Sequence, residues 1–311
     1  MDALIAALPD IFAASVRMCV PLLLVALGEL YSERAGLVNI GLDGLMTIGA
    51  FIGFVVAYKS GNLWLGVLVG ACSGVLVNLI YAFCTVTLCV NQVVVGMAIN
   101  ILTPGIAMFA YKIIFGDSSG LVQGASMPII AIPFLSDIPF VGKIFFRQSL
   151  LAYLAYLAIP LSIIFFTKFR SGLSYRSVGE NPQAAETLGV NVIKTKYLAC
   201  IVCGALAGIG GSFLTLVYTS TYADGIVAGR GFIALAAVIF GRWSPQGILG
   251  ACLLFGFFDG FQINLQIFAQ QVPYQFFQML PYVFTILALV FFGAGKIGPK
   301  ANGQPYYRES R

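Results

Sequence analysis

Ile11–Leu30 reads IFAASVRMCVPLLLVALGEL, with Arg17 and Glu29 as its only charges. A helix rising 1.5 Å per residue covers about 30 Å over such a run, the thickness of a bilayer's hydrocarbon core. No basic leader precedes the run and no small-residue cleavage site follows it, so it reads as a retained span rather than a secretory signal. Similar apolar runs recur down the chain, and helices are expected near 38–58, 63–86, 91–115, 149–167, 197–217, 246–267 and 275–294. The apolar piece Gly231 to Gly241 is too short to cross and is expected to form a half-helix or re-entrant element.

Composition agrees. Of 311 residues 59% are hydrophobic and 9% charged, where a soluble domain carries about a quarter charged residues. The fold expected is an all-α integral membrane protein, a polytopic helical bundle of about eight to ten membrane segments. It is read as one transmembrane domain over residues 1–311. The excess of 17 Lys and Arg over 12 Asp and Glu is modest, which argues against a nucleic-acid partner and leaves lipid as the surroundings. The chain has no His, which removes the commonest general base and transition-metal ligand. Cys200 and Cys203 form a CxxC on an apolar helix without a second ligand pair, so no metal site is expected.

The position of the charges sets the expected orientation. The connection 168–196 holds Lys168, Arg170, Arg176, Lys194 and Lys196 against Glu180 and Glu186, and is read as cytoplasmic by the positive-inside rule. The tail 295–311, with Lys296, Lys300, Arg308 and Arg311, is read as cytoplasmic too. Counting back through the spans, the Pro-containing connection 116–148 and the N-terminus face outside. Small residues at four-residue spacing (Gly49 and Gly53; Gly66, Gly70 and Gly74; Gly204 and Gly208; Gly256 and Gly260) mark faces where helices approach closely. Residues 21–53 and 205–241 share a faint pattern of small-residue span, polar turn and apolar segment, as inverted repeats do.

Within the cytoplasmic connection lies GENPQAAETLG, Gly179–Gly189. Asn181 suits the N-cap, and Pro182 suits the first helical position, where its missing N–H costs nothing. Ala184, Ala185 and Leu188 propagate the helix and Gly189 supplies a left-handed stop. This stretch resembles the coupling-loop signature of ABC importer permeases for simple sugars, nucleosides and branched-chain amino acids. ERAGLVNIGLDG, Glu33–Gly44, resembles the start of the second span in nucleoside-type permeases, with Asp43 where Glu is commoner. GRGFIALAAVIFG, Gly229–Gly241, followed by Arg242 and Trp243, is a third similar stretch.

The resemblance implies a type II ABC importer permease fold in the bacterial cytoplasmic membrane. It also implies a second permease subunit, identical or related, a cytoplasmic ABC ATPase and an extracytoplasmic substrate-binding protein. Glu180, Asn181, Pro182, Ala184, Ala185 and Gly189 would form the ATPase-coupling element. ATP would sit on the partner, with no cofactor on this chain and no enzymatic activity of its own. Gly295-Lys296 fails as a phosphate loop, because the upstream glycine position is Val290 and the following residue is Ile297.

Polar groups inside the spans are candidates for the substrate path. Gln92, Gly96, Asn100 and Pro104 share one face of the fourth span, Asp259, Gln262 and Gln266 share another, and Asn39 and Asp43 open the second span. Intramembrane ionisable groups are functional candidates by default. Amides also simply tie neighbouring helices, and Asp43 can equally cap its own helix or pair with Arg34. The aromatic residues Tyr274, Phe276, Phe277, Tyr282 and Phe284 suit an interfacial belt better than a nucleobase stack. Nucleosides are the expected substrate on the resemblance of Glu33–Gly44, with simple sugars or another small polar nutrient as the alternative. An ion-coupled secondary transporter using Asp43 or Asp259 is the rival from another class, but it has no need of the capped cytoplasmic helix.

Overall fold

The computed structural model describes residues 2–116, 122–268 apart from 135, 137, 139 and 140, six positions between 276 and 290, and 298–307. Helix α1 (Asp2–Arg34) is followed by α2 (Leu42–Ser60), α3 (Leu63–Ala82) with a π-helical extension Phe83–Thr87, and α4 (Gln92–Phe115). The connection beyond α4 holds β1 (Ile129–Ala131), α5 (Val141–Phe145) and β2 (Arg147–Ser149). Next come α6 (Leu150–Lys168), α7 (Arg170–Glu180), α8 (Pro182–Thr187), and α9 (Val192–Phe213) with a π-helical extension Leu214–Tyr218. Helices α10 (Arg230–Phe240) and α11 (Pro245–Phe268) follow.

Among the described residues six helices are long and apolar enough to cross a membrane: α1, α2, α3, α4, α6 and α9. Helix α11 covers the run expected near 246–267, and α10 is the expected short element. The run expected at 275–294 lies largely outside the described residues. Caps mark where spans begin. The side chains of Asn62, Asn91, Ser149 and Asn191 accept backbone N–H groups in the first turns of α3, α4, α6 and α9.

The glycine ridges turn out to be the seams of a central three-helix contact between α2, α3 and α9. A Cβ on Gly208 would strike the Gly70 carbonyl and lie 3.0 Å from Ala71 Cα, and one on Gly74 would lie 3.0 Å from Gly208 Cα. Gly256 and Gly260 of α11 lie against Ser15 and Cys19 of α1 in the same way. Lipid tails are as apolar as the helices, so association here relies on close backbone approach and on bonds across it. Ser212 donates to the Gly49 carbonyl at 3.0 Å and Thr215 to the Ala50 carbonyl at 3.1 Å. Burial grades outward, from 89% in the α1 span to 28% and 22% in the α3 and α4 spans, so α1 is the bundle's interior helix.

Two features depart from the sequence reading. Within the all-α design, β1 and β2 form a short antiparallel pair, Ile129 opposite Ser149 and Ala131 opposite Arg147. The connection 168–196 is not a loop with one helix: α7 folds back on α6, permitted by Gly172, whose missing side chain leaves room for the Phe165 carbonyl.

The chain re-enters the bundle twice. Residues 35–41 turn back from the end of α1 before α2 starts, and residues 219–229 turn back from the opposite end before α10 starts. The two new helix N-termini then meet, because a Cβ on Gly231 would lie 2.8 Å from the Leu42 carbonyl carbon. That meeting point is deep in the bundle, level with Asn100 in α4 and Asp259 in α11. The faint likeness of 21–53 to 205–241 thus has a physical counterpart in span, re-entry and helix start. One end of the bundle gathers Cys89, α7, α8, Trp243 and residues 298–307. The other gathers residues 123–127 against 216–221, through Gly124 N–H to Ser220 O and Met127 N–H to Leu216 O, both 2.8 Å.

Candidate functional site

An ionic junction occupies the point where α2, α10 and α11 converge. Asp43 Oδ1 accepts the Gly231 N–H at 3.0 Å, so this carboxylate caps α10, where the helix dipole favours negative charge. Arg230 Nη2 pairs with Asp259 Oδ2 at 3.0 Å, each side chain 14% exposed. The same guanidinium donates to the carbonyls of Ile226 and Val227 at 3.2 and 3.3 Å, and so holds the re-entrant turn as well. Buried polar atoms without a protein partner lie on the same elements: Arg230 Nε, Gln262 Oε1 and, on α1, Arg17 Nε.

Asp43 therefore neither caps its own helix nor pairs with Arg34. Arg34 Nε donates to the Trp243 carbonyl at 3.0 Å. The start of α2 is held by Asn100, which accepts the Gly44 N–H and donates to the Ile40 carbonyl, both at 2.8 Å. Gln92 Oε1 accepts the Val38 N–H at 2.8 Å. Asn39 donates from its backbone to Glu29 at 2.8 Å and from its side chain to Asn78 at 2.7 Å. Asn78 in turn donates to the Cys200 carbonyl at 2.6 Å. Irregular backbone at membrane depth survives only when its polar groups are satisfied internally, and these amides do that for residues 35–41. The six candidate path residues thus divide. Asp43, Asp259 and Gln262 belong to the elements of the junction, while Asn39, Gln92 and Asn100 hold the turn that leads into it.

At the end of the bundle, α8 has the ends its sequence specifies. Asn181 Oδ1 accepts the Ala184 N–H at 3.1 Å, Pro182 opens the helix, and Gly189 ends it at φ 84°. Ala185 is buried against Val178, Val192 and Tyr306. Glu180, Asn181, Gln183, Ala184, Thr187 and Leu188 face outward, Leu188 at 82% exposure.

Several residues of this region were not singled out from sequence. The Glu33 carboxylate accepts the indole N–H of Trp243, and the same oxygen accepts the Asn302 amide at 2.9 Å. Ala301 N–H donates to the Gly179 carbonyl at 2.9 Å, and the Tyr306 hydroxyl donates to the Glu186 carboxylate. Glu33 opens the stretch Glu33–Gly44, and Arg230 and Trp243 flank the apolar run Gly231–Gly241, where an ionisable residue at the edge of a buried helix is a signal that could have found Arg230. Asn302 and Tyr306 carry no such signal. Of the aromatic group near the last span, Phe276 is exposed, and Tyr274, Phe277, Tyr282 and Phe284 lie outside the described residues.

Residues 33–44, 179–189 and 229–243, far apart in sequence, therefore meet: Gly179 lies against the Arg34 carbonyl, and Arg34 bonds Trp243. A match to the family described as branched-chain amino acid transport system / permease component spans residues 11–289. The chain belongs to that family. The guanosine ABC transporter permease protein NupQ of Bacillus subtilis is 40% identical over 97% of each chain. The nucleoside ABC transporter permease protein NupC of Lactococcus lactis is 39% identical over 93% of each. A putative glucose ABC transporter permease protein, TsgC13 of Haloferax volcanii, is 40% identical over 81% of this chain and 77% of its own. No solved structure matches. The chain is thus a multi-pass permease component of an ABC transport system, a class that moves substrate rather than transforming it.

Proposed function

We propose that this chain is a membrane-spanning subunit of an ATP-driven importer of nucleosides. It works beside a second permease subunit, with an ATP-hydrolysing subunit at the α8 end and an extracytoplasmic binding protein at the other. The observation that carries the reading is identity of about two residues in five to guanosine and nucleoside permeases over nearly the whole chain. The glucose relative matches over less of both chains, so sugars stand second. Basic residues concentrated in 168–196 support placing α8 in the cytoplasm. ATP binds and is hydrolysed on the partner, and closure of the ATPase pair pushes on the outward face of α8.

The junction supports this reading over ion-coupled transport. Asp259 is neutralised by Arg230 and Asp43 is engaged by the α10 N-terminus, so neither is an open cation ligand. A nucleoside leaving water needs replacement hydrogen bonds along its route, each worth about 0.5–1.5 kcal/mol. Buried groups lacking a protein partner, such as Gln262 Oε1 and Gln92 Nε2, are suited to supply them. The test is uptake of labelled guanosine in cells carrying or lacking the chain, with unlabelled nucleosides and glucose as competitors. Competition by nucleosides and not glucose is expected; the reverse pattern overturns the substrate assignment.

A further inference from the structure

We infer that residues 298–307 form a strap that carries movement between α8 and α10, with Asn302 and Tyr306 as its positioning residues. The inference rests on reading α8 as the helix that the ATP-hydrolysing subunit pushes.

The strap has two grips four residues apart. At one, Asn302 donates to Glu33, and the same carboxylate oxygen accepts the indole N–H of Trp243 in the turn that ends α10. The Gly298 backbone lies against that indole so closely that a Cβ would come to 2.9 Å from the ring. At the other grip, the Tyr306 hydroxyl donates to Glu186 of α8, and its ring packs with Val178, Ala185 and Val192. The Lys196 ammonium sits 5.9 Å from the ring centroid, and the Tyr306 carbonyl accepts the Cys89 thiol at 3.5 Å. Just before the first grip, Ala301 N–H bonds the Gly179 carbonyl at 2.9 Å, two residues ahead of Asn181, which caps α8. Gly36, at φ 80°, lets the α1–α2 turn run close to the Ala301 carbonyl.

These contacts form one continuous route. A displacement of α8 pulls Tyr306, the strap pulls Asn302, and the shared Glu33 oxygen passes the shift to Trp243 and so to the end of α10. Packed cores are bistable rather than continuously deformable, so α10 moves as a rigid piece. Its other end is Arg230 and Gly231, which meet Asp259 and Asp43 at the junction. The strap thus gives the ATPase a mechanical hold on the junction besides the covalent link from α8 into α9.

The experiment reconstitutes the full transporter with Asn302→Ala, Asn302→Gln, Tyr306→Ala, Tyr306→Phe and the exposed-site control Tyr307→Ala. It measures ATPase co-purification and the number of ATP hydrolysed per nucleoside transported. Asn302→Ala and Tyr306→Ala should keep the ATPase bound yet raise that ratio about fivefold or more, the lower end of typical coupling energies. Asn302→Gln, which keeps the donor, should recover most of the loss, Tyr306→Phe should be intermediate, and Tyr307→Ala should match wild type. An unchanged ratio in Asn302→Ala and in Tyr306→Phe, with the ATPase bound, overturns the strap, and neither variant removes core packing. Ala184→Asp is included to test the footing: if the ATPase still binds it fully, the reading of α8 fails, and the strap with it.

Discussion

Arg230 pairs with Asp259 and its charge also acts on Asp43, so replacing it by Met is a sharp perturbation of the bundle's interior. The ion pair is 3.0 Å long and 14% exposed on each side, closer to a buried than a surface pair. Removing one partner of a buried pair costs about 3–5 kcal/mol, whereas a surface pair is worth about 0–1 kcal/mol. With the exposure discounted, Arg230→Met should destabilise by about 2–4 kcal/mol, since it leaves Asp259 unpaired and frees the Ile226 and Val227 carbonyls. Asp259→Asn should cost about 1–2 kcal/mol, because an amide oxygen still accepts from the guanidinium. The double variant Arg230→Met/Asp259→Leu should recover the share of that loss due to the unpaired Asp259, as a hydrophobic pair of similar volume does, and retain the share due to the freed carbonyls. It should nevertheless fail to transport, because the junction's ion pair is gone. Reversible unfolding in mixed detergent micelles gives the energies for a cycle completed with the single Asp259→Leu variant. An interaction energy below about 0.3 kcal/mol would mean that the two residues do not act as a pair, and would refute the reasoning.

Other predictions follow from single contacts. Gly208→Ala forces a methyl against the Gly70 backbone and should cost about 1–3 kcal/mol, while Gly105→Ala, with open space around it, should be neutral or slightly stabilising; equal thermal stabilities would dismiss the glycine seams. Ala184→Asp should leave folding intact and block ATPase association, whereas Ala185→Asp places a charge among Val178, Val192 and Tyr306 and should lower the yield of folded protein. Size-exclusion profiles and co-purification separate the two, and identical behaviour would contradict the burial pattern. In a cysteine-free background, Ser60→Cys should react with a membrane-impermeant thiol reagent on intact cells and Ser174→Cys should not; the opposite labelling reverses the orientation.

Much of the bundle was legible because its signals are local. Apolar run length marks the spans, and the too-short run 231–241 appears as α10 at Arg230–Phe240. Asn181, Pro182 and Gly189 specify α8 from both ends within a few residues. The four-residue glycine spacing foretold close approach, though not which helices would meet. What stayed hidden depends on distant partners. Asp43 binds Gly231, 188 positions away, and nothing in its neighbourhood distinguishes that role from a cap on α2. Asn39, Gln92 and Asn100 stand out by polarity, but the non-helical backbone at depth that they bind is not written beside them in the sequence. Helix α7, RSGLSYRSVGE, has weak intrinsic propensity and is set by packing of Tyr175 and Val178. The hold of Tyr306 on Glu186 spans 120 residues and has no sequence signature.

The most direct test of the account is transport by purified components. The chain is reconstituted with its partner permease, ATPase and binding protein in vesicles that carry no ion gradient, and guanosine uptake is followed with and without ATP. The account predicts uptake that requires ATP, stops when the ATPase is omitted and persists when proton and sodium ionophores are present. Uptake that proceeds without ATP along an imposed ion gradient would contradict it.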